Sequence, residues 1–133
     1  MSAGAVHMAI QKVLLVDDDH DLRRIGQLSL RNVGKWTVLL ASSGTEALTI
    51  ANEQTPDVIL LDVMMPEMDG LATLVRLREQ SLTACIPVIF LTAKIQTHEI
   101  DDYVALGAIG VITKPFDPMT LPDEIARLMD RLS

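Results

Sequence analysis

Three consecutive aspartates, Asp17, Asp18 and Asp19, and a separate one, Asp62, follow or end short apolar runs in this chain of 133 residues. Carboxylates brought close together repel one another unless a positive charge lies between them. A hard divalent cation with oxygen ligands supplies that charge, and magnesium in particular takes one or two carboxylates, waters and a phosphate. Two later apolar runs end at Thr92, which offers a hydroxyl, and at Lys114, which offers a mobile ammonium. A carboxylate nucleophile at Asp62, a bound Mg2+, a hydroxyl donor and a cation are what phosphoryl transfer to an aspartate requires. Each residue also has a plainer role when taken singly. Asp19 serves as a helix cap, Asp17 as a solvated turn residue, Thr92 as a strand-end hydroxyl and Lys114 as surface charge. Their placement at four strand ends in order favours the shared site.

The elements that must position these groups are legible as apolar runs alternating with helical patterns. The runs are 13–16, 36–40, 58–61, 87–91 and 111–113, and most are continuously apolar, as strands buried on both faces should be. Between them lie helix signals. Ser43 and Glu46 fit a capping box, Asp69 can cap the segment holding Leu71, Leu74 and Val75, and Gly107 can end the stripe of Ile100, Tyr103 and Val104. The last helix has Leu121, Ile125, Leu128, Met129 and Leu132 on one face. In the first helix, Gly26 and Ser29 interrupt the stripe of Leu22, Ile25 and Val33. Strand alternating with helix predicts an α/β fold: a flavodoxin-like, doubly wound, five-stranded parallel sheet of order 2-1-3-4-5 with five helices. That order makes strands one and three neighbours and gathers Asp17, Asp18, Asp19 and Asp62 into one patch.

Composition narrows the function classes. A formal net charge of −7 with no basic cluster argues against nucleic-acid binding by this chain, which needs Lys and Arg to neutralise phosphates. Cys85 is the lone cysteine, so no disulfide framework exists and a reducing cytoplasm is the expected setting. Cys85 precedes an apolar run and is expected to be a small buried hydrophobe. No run has the length of a membrane span, and the apolar stretch from Ala3 to Ile10, broken by His7, lacks the positive leader of a signal peptide. Residues 1–11 are expected to be a disordered leader and residues 12–133 the domain. A flavodoxin-like cofactor protein would need a glycine- and hydroxyl-rich phosphate loop after strand one, where three aspartates stand instead.

With these features assembled, the sequence closely resembles the receiver domain of two-component response regulators, the family that includes the single-domain chemotaxis regulator. The matching stretches are 13–19, 57–70, 90–94 and 107–116, among them Leu61-Asp62-Val63-Met64-Met65-Pro66 and Thr113-Lys114-Pro115-Phe116. The resemblance implies that Asp62 is the phosphoacceptor, Asp18 the direct Mg2+ ligand and Asp17 the holder of metal-bound water, with Met64 contributing its backbone carbonyl. It implies that Thr92 moves toward the phosphoryl group, that Lys114 pairs with it, and that the Lys114–Pro115 bond is cis. The domain would be a phosphoacceptor rather than an enzyme with an external substrate, assisting its own phosphorylation and dephosphorylation. Its implied partners are a sensor histidine kinase or phosphotransfer protein, an output protein or domain on the face of helix four, strand five and helix five, and a second copy in a homodimer. Met64 and Lys94 occupy the positions that tune phosphoryl lifetime in the family. One position departs: the family often has Tyr or Phe three residues before the lysine, and Val111 stands there. Tyr103 is a nearby aromatic whose helical stripe indicates core packing. A module that binds partners without phosphorylation is the competing class, favoured by Val111 and opposed by the intact acid set.

Overall fold

The computed structural model describes residues 10–93 and 97–132. Lys94 and leader residues 1–9 lie outside the described residues. Strands β1 (Lys12–Val16), β2 (Thr37–Ala41), β3 (Val58–Asp62), β4 (Val88–Thr92) and β5 (Gly110–Thr113) alternate with helices α1 (His20–Leu28), α2 (Gly44–Gln54), α3 (Gly70–Glu79), α4 (Thr97–Ala105) and α5 (Leu121–Asp130). The strands form one sheet in the order β2-β1-β3-β4-β5, and every neighbouring pair is parallel. This is the doubly wound α/β architecture expected from the sequence. No helix among the described residues is long and apolar enough to cross a membrane.

Alternation along each strand divides the apolar runs between two cores. Leu14, Val16, Ile59, Leu61 and Phe90 face one way, onto Ala47 and Ala51 of α2 and Leu74 and Leu77 of α3. Val13, Leu15, Leu60, Ile89 and Leu91 face the other way, onto Leu30 beyond α1 and onto Leu121 and Ile125 of α5. Both faces of the central strands are therefore dry, which is why their sequences show no polar alternation. Fully burying one such aliphatic side chain contributes about 1.5–3 kcal/mol.

Caps set where the helices start. Asp19 accepts from the N–H groups of Asp21 (2.9 Å) and Leu22 (3.2 Å), Ser43 Oγ from Glu46 N–H (3.1 Å), and Asp69 from Ala72 N–H (2.8 Å). The Glu46 carboxylate reaches back to the N–H of Ser42 (2.6 Å), one residue before the cap. Each such cap is worth about 0.5–2 kcal/mol. Gly107 ends the α4 segment with φ at 108°, in the left-handed region open to glycine.

Two expectations need correction. In α1, the interruption at Gly26 and Ser29 is itself the core-facing side. A Cβ on Gly26 would lie 2.5 Å from Leu15 Cδ2, so a larger residue would force that buried leucine to move. Ser29 is buried and its hydroxyl donates to the carbonyl of Pro118, whereas Ile25 and Val33 are 42% and 41% exposed. The chain then widens into a π-helical turn, Ser29–Val33, in which Gly34 N–H reaches back to the Ser29 carbonyl (3.1 Å). The second correction is Cys85, which is exposed. Thr83 and Ile86 take the buried positions of that loop, with Thr83 Oγ1 donating to the Leu77 carbonyl at 2.6 Å.

Candidate functional site

The acidic patch follows from strand order. Val16 of β1 pairs with Leu61 of β3, so the next residues on the two strands, Asp17 and Asp62, emerge side by side. Asp17, Asp18 and Asp62 each bring a carboxylate oxygen within 4.8 Å of the other two. Asp17 and Asp62 are each 1% exposed, while Asp18 is open to solvent. Asp19, as expected, points into the α1 cap instead.

Buried carboxylates persist only when hydrogen-bonded or paired. Asp17 Oδ1 accepts from the N–H of Asp19 (2.9 Å), and its Oδ2 from Lys114 Nζ (3.0 Å). Asp62 Oδ1 accepts from the N–H of Met64 (3.2 Å) and lies 3.1 Å from the same Nζ. Lys114 reaches this position because β5 pairs Thr113 with Thr92, and its own N–H donates to the Thr92 carbonyl at 2.8 Å. The Lys114–Pro115 bond that follows is cis. Thr92 ends β4 at 5% exposure, on the strand next to β3, and Ala93 beyond it is exposed. The backbone of Met64 borders the patch while its side chain is 75% exposed.

One ammonium does not neutralise three carboxylates: with charges of −3 and +1, two negative charges remain over. Burial, then the charge of Asp17, push the Asp62 carboxyl up to about 6, against the opposing pull of Lys114 and the Met64 N–H. Burial alone would lower Lys114, yet the bonds and charges of Asp17 and Asp62 outweigh it and hold its ammonium above the ordinary lysine range. A compact oxygen-only donor set with two uncompensated negative charges fits a hard divalent cation.

Two supporting residues were given no role from the sequence, although Gly70 closes the 57–70 stretch that carries the family resemblance. Arg23 Nη1 donates to the Asp17 carbonyl (2.7 Å) and fixes the turn after β1. An arginine within a helix is commonplace, so nothing marked it. Gly70 starts α3 directly behind Asp62: a Cβ there would lie 2.3 Å from the Asp62 carbonyl oxygen and 2.9 Å from Val63 Cα. Backbone cannot yield as a side-chain tip can. Gly70→Ala is expected to destabilise the domain by about 1–3 kcal/mol and to slow any reaction at Asp62. A urea titration alongside the labelling assay described below checks both, and unchanged stability would contradict the packing.

Comparison with known proteins agrees with this geometry. Residues 13–126 match the response regulator receiver domain family. The chain is 36% identical over 121 residues to the alkaline phosphatase synthesis transcriptional regulatory protein PhoP of Bacillus subtilis, covering 91% of this chain and 49% of that protein. It is 35% identical over 119 residues to the response regulator Rre1 of Synechocystis, covering 90% of this chain and 52% of that one. Among solved structures, the chemotaxis protein CheY4 of Vibrio cholerae superposes with a TM-score of 0.83 at 36% identity, over 90% of this chain and 99% of that one. The chain belongs to the receiver domain family of two-component response regulators. It spans about half the length of these two regulators.

Proposed function

We propose that the domain takes a phosphoryl group on Asp62 from a kinase phosphohistidine or a small acyl phosphate, in a Mg2+-dependent reaction in the cytoplasm. The observation that supports this most directly is the cluster of Asp17, Asp18 and Asp62, bridged by Lys114 Nζ at 3.0 and 3.1 Å. A carboxylate oxygen of Asp62 attacks phosphorus, and the bond from phosphorus to the donor oxygen or nitrogen breaks, its electron pair leaving with the donor. Lys114, already in contact with Asp62, bonds a phosphoryl oxygen, and the Thr92 hydroxyl bonds another. Asp18, Asp62 and the Met64 carbonyl would hold Mg2+ directly and Asp17 would hold it through water; when bound, the ion neutralises charge on the transferring oxygens. Hydrolysis by water at the same site returns the free carboxylate.

Phosphorylation then biases the face of α4, β5 and α5, changing its affinity for an output protein or domain, or for a second copy of the chain. A groove of about 280 Å³ on this face, lined by Val111, Ile112, Glu124, Arg127, Leu128 and Arg131, suits such contacts. Intact-mass analysis after incubation with a small acyl phosphate tests the chemistry. Addition of one phosphoryl group is expected in Mg2+ and none in excess chelator, with the modified peptide containing Asp62. Equal labelling with and without chelator would overturn the metal requirement, and no labelling in either condition would overturn the reading itself.

A further inference from the structure

Among the described side chains of helix α4, Ile100 and Tyr103 are the partly buried ones. Of its described residues only Tyr103 packs on the core beneath, while Asp101, Asp102, Val104 and Ala105 are exposed. The Tyr103 ring rests on Phe90 of β4, with centroids 5.1 Å apart and planes inclined at 57°. Phe90 is fully buried and pairs across the sheet with Val111, which packs on the same cluster, so residues 103 and 111 share one floor. Two residues after Phe90, on the same face of the strand, comes Thr92 at the acidic patch. A ring seated on Phe90 therefore sits one side chain away from the part of β4 that borders the site.

The far end of α4 is tied down. The Tyr103 carbonyl accepts from the N–H groups of Leu106 (3.2 Å) and Ala108 (3.1 Å), Ile109 N–H donates to the Val88 carbonyl (2.9 Å), and Arg78 Nη2 donates to the Gly107 carbonyl (3.2 Å). The helix is thus held at its C-terminal turn, and the Tyr103 ring seats it above β4.

Building on the function proposed above, we infer that Tyr103 is the pivot by which phosphorylation at Asp62 repositions α4. Displacement of the Thr92 end of β4 moves the floor under the ring, and the helix turns about its fixed C-terminal turn. Tyr103 acts here as a positioning residue, through Phe90.

Tyr103 is the only tyrosine in the chain, so biosynthetic fluorotyrosine gives one fluorine resonance that reports this ring alone. With small acyl phosphate and Mg2+ in excess, and phosphoryl uptake verified by mass on the same sample, the resonance is expected to shift, and Asp62→Asn to abolish the shift. Hydrogen exchange of the α4 amides should change on phosphorylation in the wild type and in Tyr103→Phe, which keeps the ring. Tyr103→Leu should still be phosphorylated but show no further change in α4. An unmoved resonance in protein shown by mass to be phosphorylated overturns the pivot, as does a full α4 response in Tyr103→Leu. Absence of phosphoryl uptake overturns instead the parent reading at Asp62. Should Tyr103→Leu fail to fold, the wild-type resonance alone decides.

Discussion

The Asp62→Asn variant is expected to take up no phosphoryl group and to be more stable than the wild type in chelator. The first outcome follows from losing the attacking carboxylate while keeping its shape. The second follows from electrostatics. Burial and the neighbouring Asp17 raise the Asp62 carboxyl from 3.8 to about 6, so the folded protein binds that proton more tightly than the unfolded chain does. Stability contributed by such a group is fully present below the unfolded value and is lost as pH rises through the folded one. The metal-free wild type should therefore weaken between about pH 4 and pH 6 through Asp62, and stay weakened above that range. The amide carries no charge, so the difference between variant and wild type should open across the same window and then level off. A gain on the order of 1–2 kcal/mol at neutral pH would raise Tm by roughly 3–6 °C per kcal/mol in a domain of this size. Mg2+ should favour the wild type, because the cation finds one more carboxylate there than in the variant, which keeps only Asp17 and Asp18 of the three. Melting curves in chelator and in Mg2+ at several pH values check this. Undiminished acid-labile labelling of the variant would refute Asp62 as acceptor, and a lower Tm in chelator at neutral pH would refute the electrostatic account.

Much of this site was legible because its parts lie at strand ends. Continuous apolar runs marked strands with two buried faces, and parallel order then determined that residues following β1 and β3 must meet. Asp17 and Asp62 came together for that reason alone. Lys114 required one step more, since the in-register pairing of Thr113 with Thr92 is what carries its side chain back over the patch. What stayed hidden depends on close approach, which periodicity does not encode. Gly26 looked like a defect in the α1 stripe because a stripe is counted in large residues, yet that face meets Leu15, which a Cβ would displace. Gly70 stood in the stretch that carries the family resemblance, but its steric role shows only once the backbone behind Asp62 is known. Cys85 was misplaced because adjacency to an apolar run says nothing about which loop residues turn inward, and Thr83 and Ile86 were the ones that did. Tyr103 was legible as packing, but the ring it packs on became visible only with α4 laid over β4.

Lys114→Met should produce the largest loss of stability of any single change at the site. Methionine keeps the length and apolar stem of lysine, so what disappears is the ammonium and its contacts with Asp17 and Asp62 at 3.0 and 3.1 Å. Removing one partner of a buried ion pair costs more than the pair was worth, because the remaining charges are left buried without compensation. With Asp17 and Asp62 each 1% exposed, a loss of roughly 2–4 kcal/mol is expected at neutral pH in chelator. The Asp62 carboxyl loses the strongest influence holding it down and should move up further from about 6. Protonation then becomes the route of relief, so acidification toward about pH 5 should return part of the lost stability. Mg2+ should stabilise this variant more than the wild type, since the cation no longer competes with Nζ for the same oxygens. Denaturant titrations at neutral and mildly acidic pH, each with chelator or Mg2+, separate these effects. Wild-type stability of Lys114→Met in chelator at neutral pH would mean that the ammonium contributes nothing to holding the two carboxylates together. The charge imbalance that argues for a bound cation would then lose its physical basis.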